Sequence, residues 1–185
     1  MNEYRKIFRE IQGYKLFPSF EKKDSEKAIK LIEKYSWAVP NKKAIKEICK
    51  FGAIIEIGAG GGYWASLIKK AGGNIIAYDN LSTHQLKNTK YWFKVKYGSF
   101  EKIKQHKNRI LFLCFPPCKS NMAFDCLNNY TGEYFLYIGE ELEGCKGNES
   151  FFNEIFENWN LIKTIDIPSY GGVFDSLFIY KRKVK

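Results

Sequence analysis

The feature that most constrains this 185-residue chain is a glycine-rich turn set between a short apolar run and a helical one. Ala53-Ile-Ile-Glu-Ile57 reads as a buried strand, Gly58-Ala-Gly-Gly-Gly62 as the turn, and Tyr63 to Ala71 as a helix with Trp64, Leu67 and Ile68 inward. Glycines at such a junction allow positive φ and let bare backbone approach a ligand. The start of the helix offers N–H groups to a carboxylate or phosphate. Gly72-Gly73 stops the helix, and Asn74-Ile-Ile-Ala-Tyr-Asp79 follows as a second strand. Asp79 then lies where a carboxylate can accept from ribose hydroxyls.

The rest of the chain keeps the same rhythm. Before the turn, Ile29, Ile32 and Tyr35 recur at helical spacing from Ser25 to Tyr35, and Asn41 is placed to cap a second helix with Ala44, Ile45, Ile48 and Cys49 on one face. Residues 1–20 read as an irregular or short-helical lead. After Asp79 the pattern predicts a helix around 82–90, a strand near 92–97, a helix near 99–106 and a buried strand over Arg109–Phe115. A helix at 121–130, a strand at Glu133–Gly139 and a helix at 149–158 follow. Two final strands, Trp159–Ile167 and Phe174–Lys181, are separated by six residues, too few for a parallel crossover, so they must pair antiparallel. Alternating strands and helices imply a mainly parallel sheet with helices on both faces.

Composition narrows the class. No run approaches the ~20 apolar residues of a membrane span, and the N-terminal stretch has no apolar core of a secretory signal. Five scattered cysteines read as reduced thiols, so the expectation is a cytoplasmic protein with no membrane association. Their spacings do not suit structural zinc, and no metal is expected. The net charge of +10 is uneven. Residues 87–109 hold eight basic side chains against one acidic, 133–166 hold two against eight, and Lys181, Arg182, Lys183 and Lys185 close the chain. The basic segments 87–109 and 181–185 are a candidate footprint for nucleic acid, with a Lys-rich solvated surface as the alternative.

Glu56-Ile-Gly-Ala-Gly-Gly-Gly62-Tyr63, followed by Ile75-Ile-Ala-Tyr-Asp79, resembles the first two motifs of class I S-adenosylmethionine-dependent methyltransferases. The resemblance implies a three-layer Rossmann-like fold, a seven-stranded mainly parallel sheet with a C-terminal antiparallel hairpin. It further implies S-adenosyl-L-methionine as cofactor. Gly58, Ala59, Gly60 and Gly62 would line its methionine part, Glu56 would shape the loop and meet the amino group, and Asp79 would hold the ribose, with Tyr63 and Asn80 as further candidate cofactor contacts. Trp37 and Pro40 are candidates for a lid over the cofactor, with ordinary packing of an N-terminal helix as the favoured alternative, and residues 1–50 are an N-terminal helical extension to a domain at 51–185. Gly60-Gly-Gly62-Tyr-Trp-Ala65 also fits a dinucleotide fingerprint, and a tight turn without ligand is a further alternative.

Phe115-Pro116-Pro117-Cys118, at the end of the fourth strand, resembles the motif IV of amino-group methyltransferases, in which a polar residue and an aromatic flank two prolines. In open α/β sheets ligands gather at the carboxyl ends of the strands, which makes these four residues the candidate acceptor pocket. Phe115 cannot accept a hydrogen bond, and Cys118 stands where the stacking ring would be. The wider pattern, from Trp37-Ala-Val-Pro-Asn41 to Asp166-Ile-Pro168, resembles an uncharacterised methyltransferase-like group whose W-P-P-Y is F-P-P-C here. The activity implied is methyl transfer to a small molecule or nucleic acid. A catalytically silent module that binds the cofactor or nucleic acid, and a dinucleotide oxidoreductase, are the alternatives. Glu140, Glu141 and Glu143 are candidate bases after the fifth strand, or solvated loop charges; His84 and His106 read as surface residues.

Overall fold

The computed structural model describes Tyr4 and residues 22–81, 90–141, 146–170 and 174–184. Its strands are Ala53–Ile57 (β1), Asn74–Asp79 (β2), Val95–Tyr97 (β3), Ile110–Cys114 (β4), Tyr134–Gly139 (β5), Trp159–Asp166 (β6) and Ser176–Arg182 (β7). The helices are Lys22–Lys34 (α1), Lys42–Ile48 (α2), Tyr63–Lys70 (α3), Met122–Asn128 (α4) and Glu149–Asn158 (α5). All seven strands form one sheet in the order β3-β2-β1-β4-β5-β7-β6. β1 pairs in parallel with β2 and β4, while β7 runs antiparallel to both β5 and β6. The expected terminal hairpin is present, and β7 inserts inside β6 rather than at the edge.

Strand alternation sorts the core into two layers. Ile55 and Ile57 of β1, with Leu111 and Leu113 of β4, face α4 and α5 together with Phe151, Phe152 and Trp159. Ile54, Phe112, Leu136 and Ile179 face α2 and α3 on the other side, where Trp64 and Ile68 pack. Glu56 shares the face of Ile54 and so points into this second layer. Trp64 is fully buried because its indole N–H has a partner, the Ala38 carbonyl at 3.2 Å; burying a ring of this size contributes on the order of 2 kcal/mol or more. Asn41 caps α2 as expected, its side chain accepting from the Ala44 N–H at 2.8 Å.

Several local expectations change in the folded chain. Ile29 is 48% exposed, and α1 instead buries Ala28, Leu31, Ile32 and Tyr35, a complete i, i+3, i+4, i+7 stripe that Ile29 lies off. The strand expected from 92 begins only at Val95, because the Trp92 N–H donates to the Gly61 carbonyl (2.8 Å) and its indole to the Lys34 carbonyl (2.6 Å). Those bonds draw the preceding residues to the glycine turn instead of the sheet edge. The segment near 99–106 is a 3₁₀ helix, Phe100–Gln105, with i→i+3 bonds such as Lys102 N–H to the Ser99 carbonyl. The helix expected around 82–90 and nearly all of the 1–20 lead lie outside the described residues. Among the described residues no helix is long and apolar enough to cross a membrane.

Candidate active site

β1 is the strand from which the sheet grows in both directions, so a crevice opens beyond its carboxyl end, between the chains leaving β2 and β4. The cavity there measures about 650 Å³. Every candidate cofactor-binding and acceptor-pocket residue except Gly62 lines it: Trp37, Glu56, Gly58, Ala59, Gly60, Tyr63, Asp79, Asn80, Phe115, Pro116, Pro117 and Cys118. Gly62 sits behind the wall, where a Cβ would meet Phe93 Cβ at 2.7 Å and Val95 Cγ2 at 2.8 Å. Its φ of +72 adds a second reason for glycine.

The turn is tied down from within. Gly58, Gly60 and Gly62 all have positive φ. The Gly58 and Ala59 N–H groups donate to the Tyr78 carbonyl (2.9 and 3.0 Å), and Gly62 N–H to the Ala59 carbonyl at 2.8 Å. Gly60 N–H donates to Asp79 Oδ2 at 2.7 Å, and the other Asp79 oxygen accepts from Leu81 N–H at 2.6 Å. Asp79 is therefore first a brace for the loop, with further lone pairs on the same oxygens. The Gly58, Ala59, Gly60 and Gly62 N–H groups are thus already bonded within the protein.

Glu56 is 1% exposed, and its Oε2 has no hydrogen-bond partner. Burial pushes its carboxyl up to about 8, the Asp79 charge adds to the rise, and a bond from the Ala65 main chain opposes it. A carboxylate in such a place wants a donor or a cation from the cavity side.

The far side of the cavity is built on a strained residue. Phe115 has φ +57, unusual for a bulky side chain, and its N–H donates to the Ile138 carbonyl at 2.8 Å. Its ring stacks on Trp37 (centroids 5.5 Å apart, 13° between planes), and the Lys146 ammonium stands 4.4 Å from the ring centroid. Pro117 bridges Lys146 in an isolated β-pair, and the Pro116 carbonyl accepts from Gly147 N–H at 3.0 Å. The Pro116 carbonyl thus accepts one bond from within the protein and keeps a second lone pair. Cys118 is exposed at the rim.

Behind Phe115 lies a charged cluster that sequence reasoning did not assemble. Lys146 is buried and pairs with Glu140 at 3.0 Å; Glu140 also accepts from Phe174 N–H at 3.2 Å. Asp175 is buried with Oδ1 unpartnered; burial pushes its carboxyl up to about 7, Lys146 opposing and Glu140 adding to the rise. Burial also raises the Cys114 thiol well above its usual value, with Glu56 and then Asp175 adding to it. Glu140, offered by the sequence as a base, is committed to Lys146 and the Phe174 main chain. Glu141 is exposed, and Glu143, His84 and Cys145 lie outside the described residues. His106 is half-buried, 2.8 Å from the Tyr78 hydroxyl, and away from the cavity. The signal for Lys146 was slight: it is one of two basic residues in an acidic stretch.

No protein-family model matches the sequence, and no curated protein matches it. Solved structures match in shape. A Sulfolobus solfataricus protein described as a type 11 methyltransferase superposes with a TM-score of 0.54 at 16% identity, over 81% of this chain and 95% of that one. The fold is the Rossmann-like methyltransferase fold. A tRNA methyltransferase of B. subtilis, TrmK, superposes with a TM-score of 0.51 at 12% identity, over 77% of this chain and 64% of that one. A Streptococcus agalactiae protein of the NADB-Rossmann superfamily gives 0.50 at 11% identity, over 80% and 71%. What sets the methyltransferase fold apart from the usual dinucleotide-binding order 3-2-1-4-5-6 is the antiparallel β7 between β5 and β6.

Proposed function

We propose that this chain binds S-adenosylmethionine in the crevice and transfers its methyl group to an acceptor held on the Phe115 side. The observation that carries the reading is the unpartnered Glu56 oxygen in the cavity wall. An amino group on a cationic ligand satisfies it. A pyrophosphate does not: it brings no donor to Glu56, the Asp79 carboxylate would repel it, and four of the turn's N–H groups are already taken. That contrast favours the methyl donor over a dinucleotide.

In this reading Gly58, Ala59, Gly60 and Tyr63 border the methionine part, Gly62 sets the turn from behind, and Asp79 and Asn80 take the ribose. Trp37 closes over the site from an N-terminal helical extension (residues 1–50) on a catalytic domain (51–185). When bound, the cofactor would supply a sulfonium methyl group open to in-line attack by an acceptor lone pair, the C–S bond breaking as S-adenosylhomocysteine leaves. The chain's own task is to align the two and exclude water. Phe115, held in its strained conformation between Trp37 and Lys146, sets the acceptor-side wall with Pro116, Pro117 and Cys118.

Calorimetry of the full chain with S-adenosylmethionine, S-adenosylhomocysteine and NADH tests the reading. Binding of the first two and not the third is expected, followed by transfer of a labelled methyl into fractionated cell extract. NADH binding, or an inert crevice, overturns it. Cofactor binding with no transfer to any fraction would favour the silent binding module.

A further inference from the structure

The fold divides the basic side chains into two ends. At the end away from the crevice, Lys181 pairs with Glu133 (3.1 Å), and Arg182 bonds the Tyr130 and Gly132 carbonyls over the Trp159 ring. Lys183 bonds the Phe156 carbonyl, and Arg109 holds the Ile54 carbonyl and Asn74. These cations have partners at that end, and Lys185 lies outside the described residues. At the crevice end the opposite holds. Lys90, Lys94, Lys96 and Lys119 form no ion pair among the described residues, and Lys90 and Lys119 line the cavity itself.

Two tyrosines accompany them. Tyr97 is 77% exposed at the carboxyl end of the edge strand β3, and Tyr91 is 57% exposed ahead of that strand; Lys90, Gly98 and Ser99, which flank the segment carrying them, line the cavity. The segment is fixed at both ends, by Trp92 N–H on the Gly61 carbonyl and by Gly98 N–H on the Asp79 carbonyl (3.2 Å). Tyr97 stands opposite Asp79 in the register. Lys90 stands over the Trp92 ring (4.0 Å) and Lys96 over the Tyr78 ring (5.7 Å), contacts that leave their charge uncancelled by any carboxylate among the described residues. Flat rings on a pinned backbone, beside ammonium groups of this kind, suit stacked bases joined by phosphates. Lysines alone would be expected on an edge strand as protection against pairing; the exposed rings beside them have no such purpose.

We infer that Tyr91, Tyr97 and the lysines around them bind a single-stranded polynucleotide and present it to the crevice. The binding stands on this surface alone; that the strand is the methyl acceptor rests on the function proposed above.

The test is fluorescence anisotropy of the full chain with a labelled 20-nucleotide single strand of mixed sequence, as RNA and as DNA, and with the matching duplex. The expected result is tighter binding of a single strand than of the duplex, with log affinity falling against log salt at a slope of about −2 to −3, from about 0.7 per phosphate contact. Tyr97→Ala and Tyr91→Ala should each weaken it about fivefold or more, Tyr97→Phe should retain it, and Lys181→Glu should leave it unchanged. The ratio of RNA to DNA affinity names the sugar, and binding of either supports the inference. Absence of binding at low salt, indifference to both tyrosine substitutions, or preference for duplex overturns it. Calorimetry with S-adenosylmethionine on the same preparations separates the two proposals: intact cofactor binding without polynucleotide binding removes this one alone, and the reverse removes the methyl-transfer reading alone.

Discussion

Replacing Glu56 by Gln isolates the charge of the group on which the functional reading turns. The side chain is buried with one oxygen unpartnered, and its carboxyl is pushed from an ordinary 4.5 to about 8. The folded value lies above the unfolded one, so the stability linked to it is fully present below about pH 4.5 and is lost as pH rises towards about 8. At about 1.4 kcal/mol for each pH unit, the whole loss is about 5 kcal/mol, of which about 3 falls between about pH 5.5 and about 8.5. Gln keeps the shape and can still accept from the Ala65 main chain, but does not ionise. In urea unfolding, the stability of Glu56→Gln relative to the natural chain should therefore grow by about 3 kcal/mol across that interval. A difference that stays flat to within about 1 kcal/mol would refute the reasoning, since the carboxyl would then ionise normally in place. Calorimetry supplies the functional half: the more stable variant should bind S-adenosylmethionine at least about tenfold more weakly near pH 8, having lost a charge-assisted bond.

The glycine turn gives two further expectations. Gly62→Ala puts a Cβ 2.7 Å from Phe93 Cβ in a left-handed conformation and should cost about 2 kcal/mol or more in urea unfolding. Gly72→Ala, left-handed with nothing within 4 Å, should cost only about 1 kcal/mol. Asp79→Asn replaces one acceptor oxygen with an NH₂ that cannot take the Gly60 or Leu81 N–H. It should lower stability by about 1–3 kcal/mol and weaken cofactor affinity in calorimetry; unchanged affinity would remove Asp79 from the ribose role.

Much of this molecule was written in local pattern. The run Ala53–Ile57, the glycines after it and Asn74–Asp79 became β1, the turn and β2 with the bounds the sequence implied, because burial on both faces of a parallel strand leaves an unbroken apolar run. The six-residue gap before the last strand required an antiparallel pair for reasons of reach alone. Period and turn chemistry report on neighbours a few positions away, and there they sufficed.

What the tertiary structure decided is which distant groups share a space. No period places Lys146 over Phe115, or Asp175 near Cys114: the Pro117–Lys146 bridge beyond β4 and β5 does the first, and β7, by inserting between β5 and β6, brings Asp175 to the crevice end of the sheet. The same antiparallel run sends Lys181 and Arg182 to the far end of the sheet, where composition alone had counted them with the other cations. Asp79 was legible as a carboxylate at a strand end, but its bond to Gly60 was not. Charge and hydrophobicity are properties of residues; burial and partnership are properties of pairs far apart in the chain, and only the folded sheet fixes them.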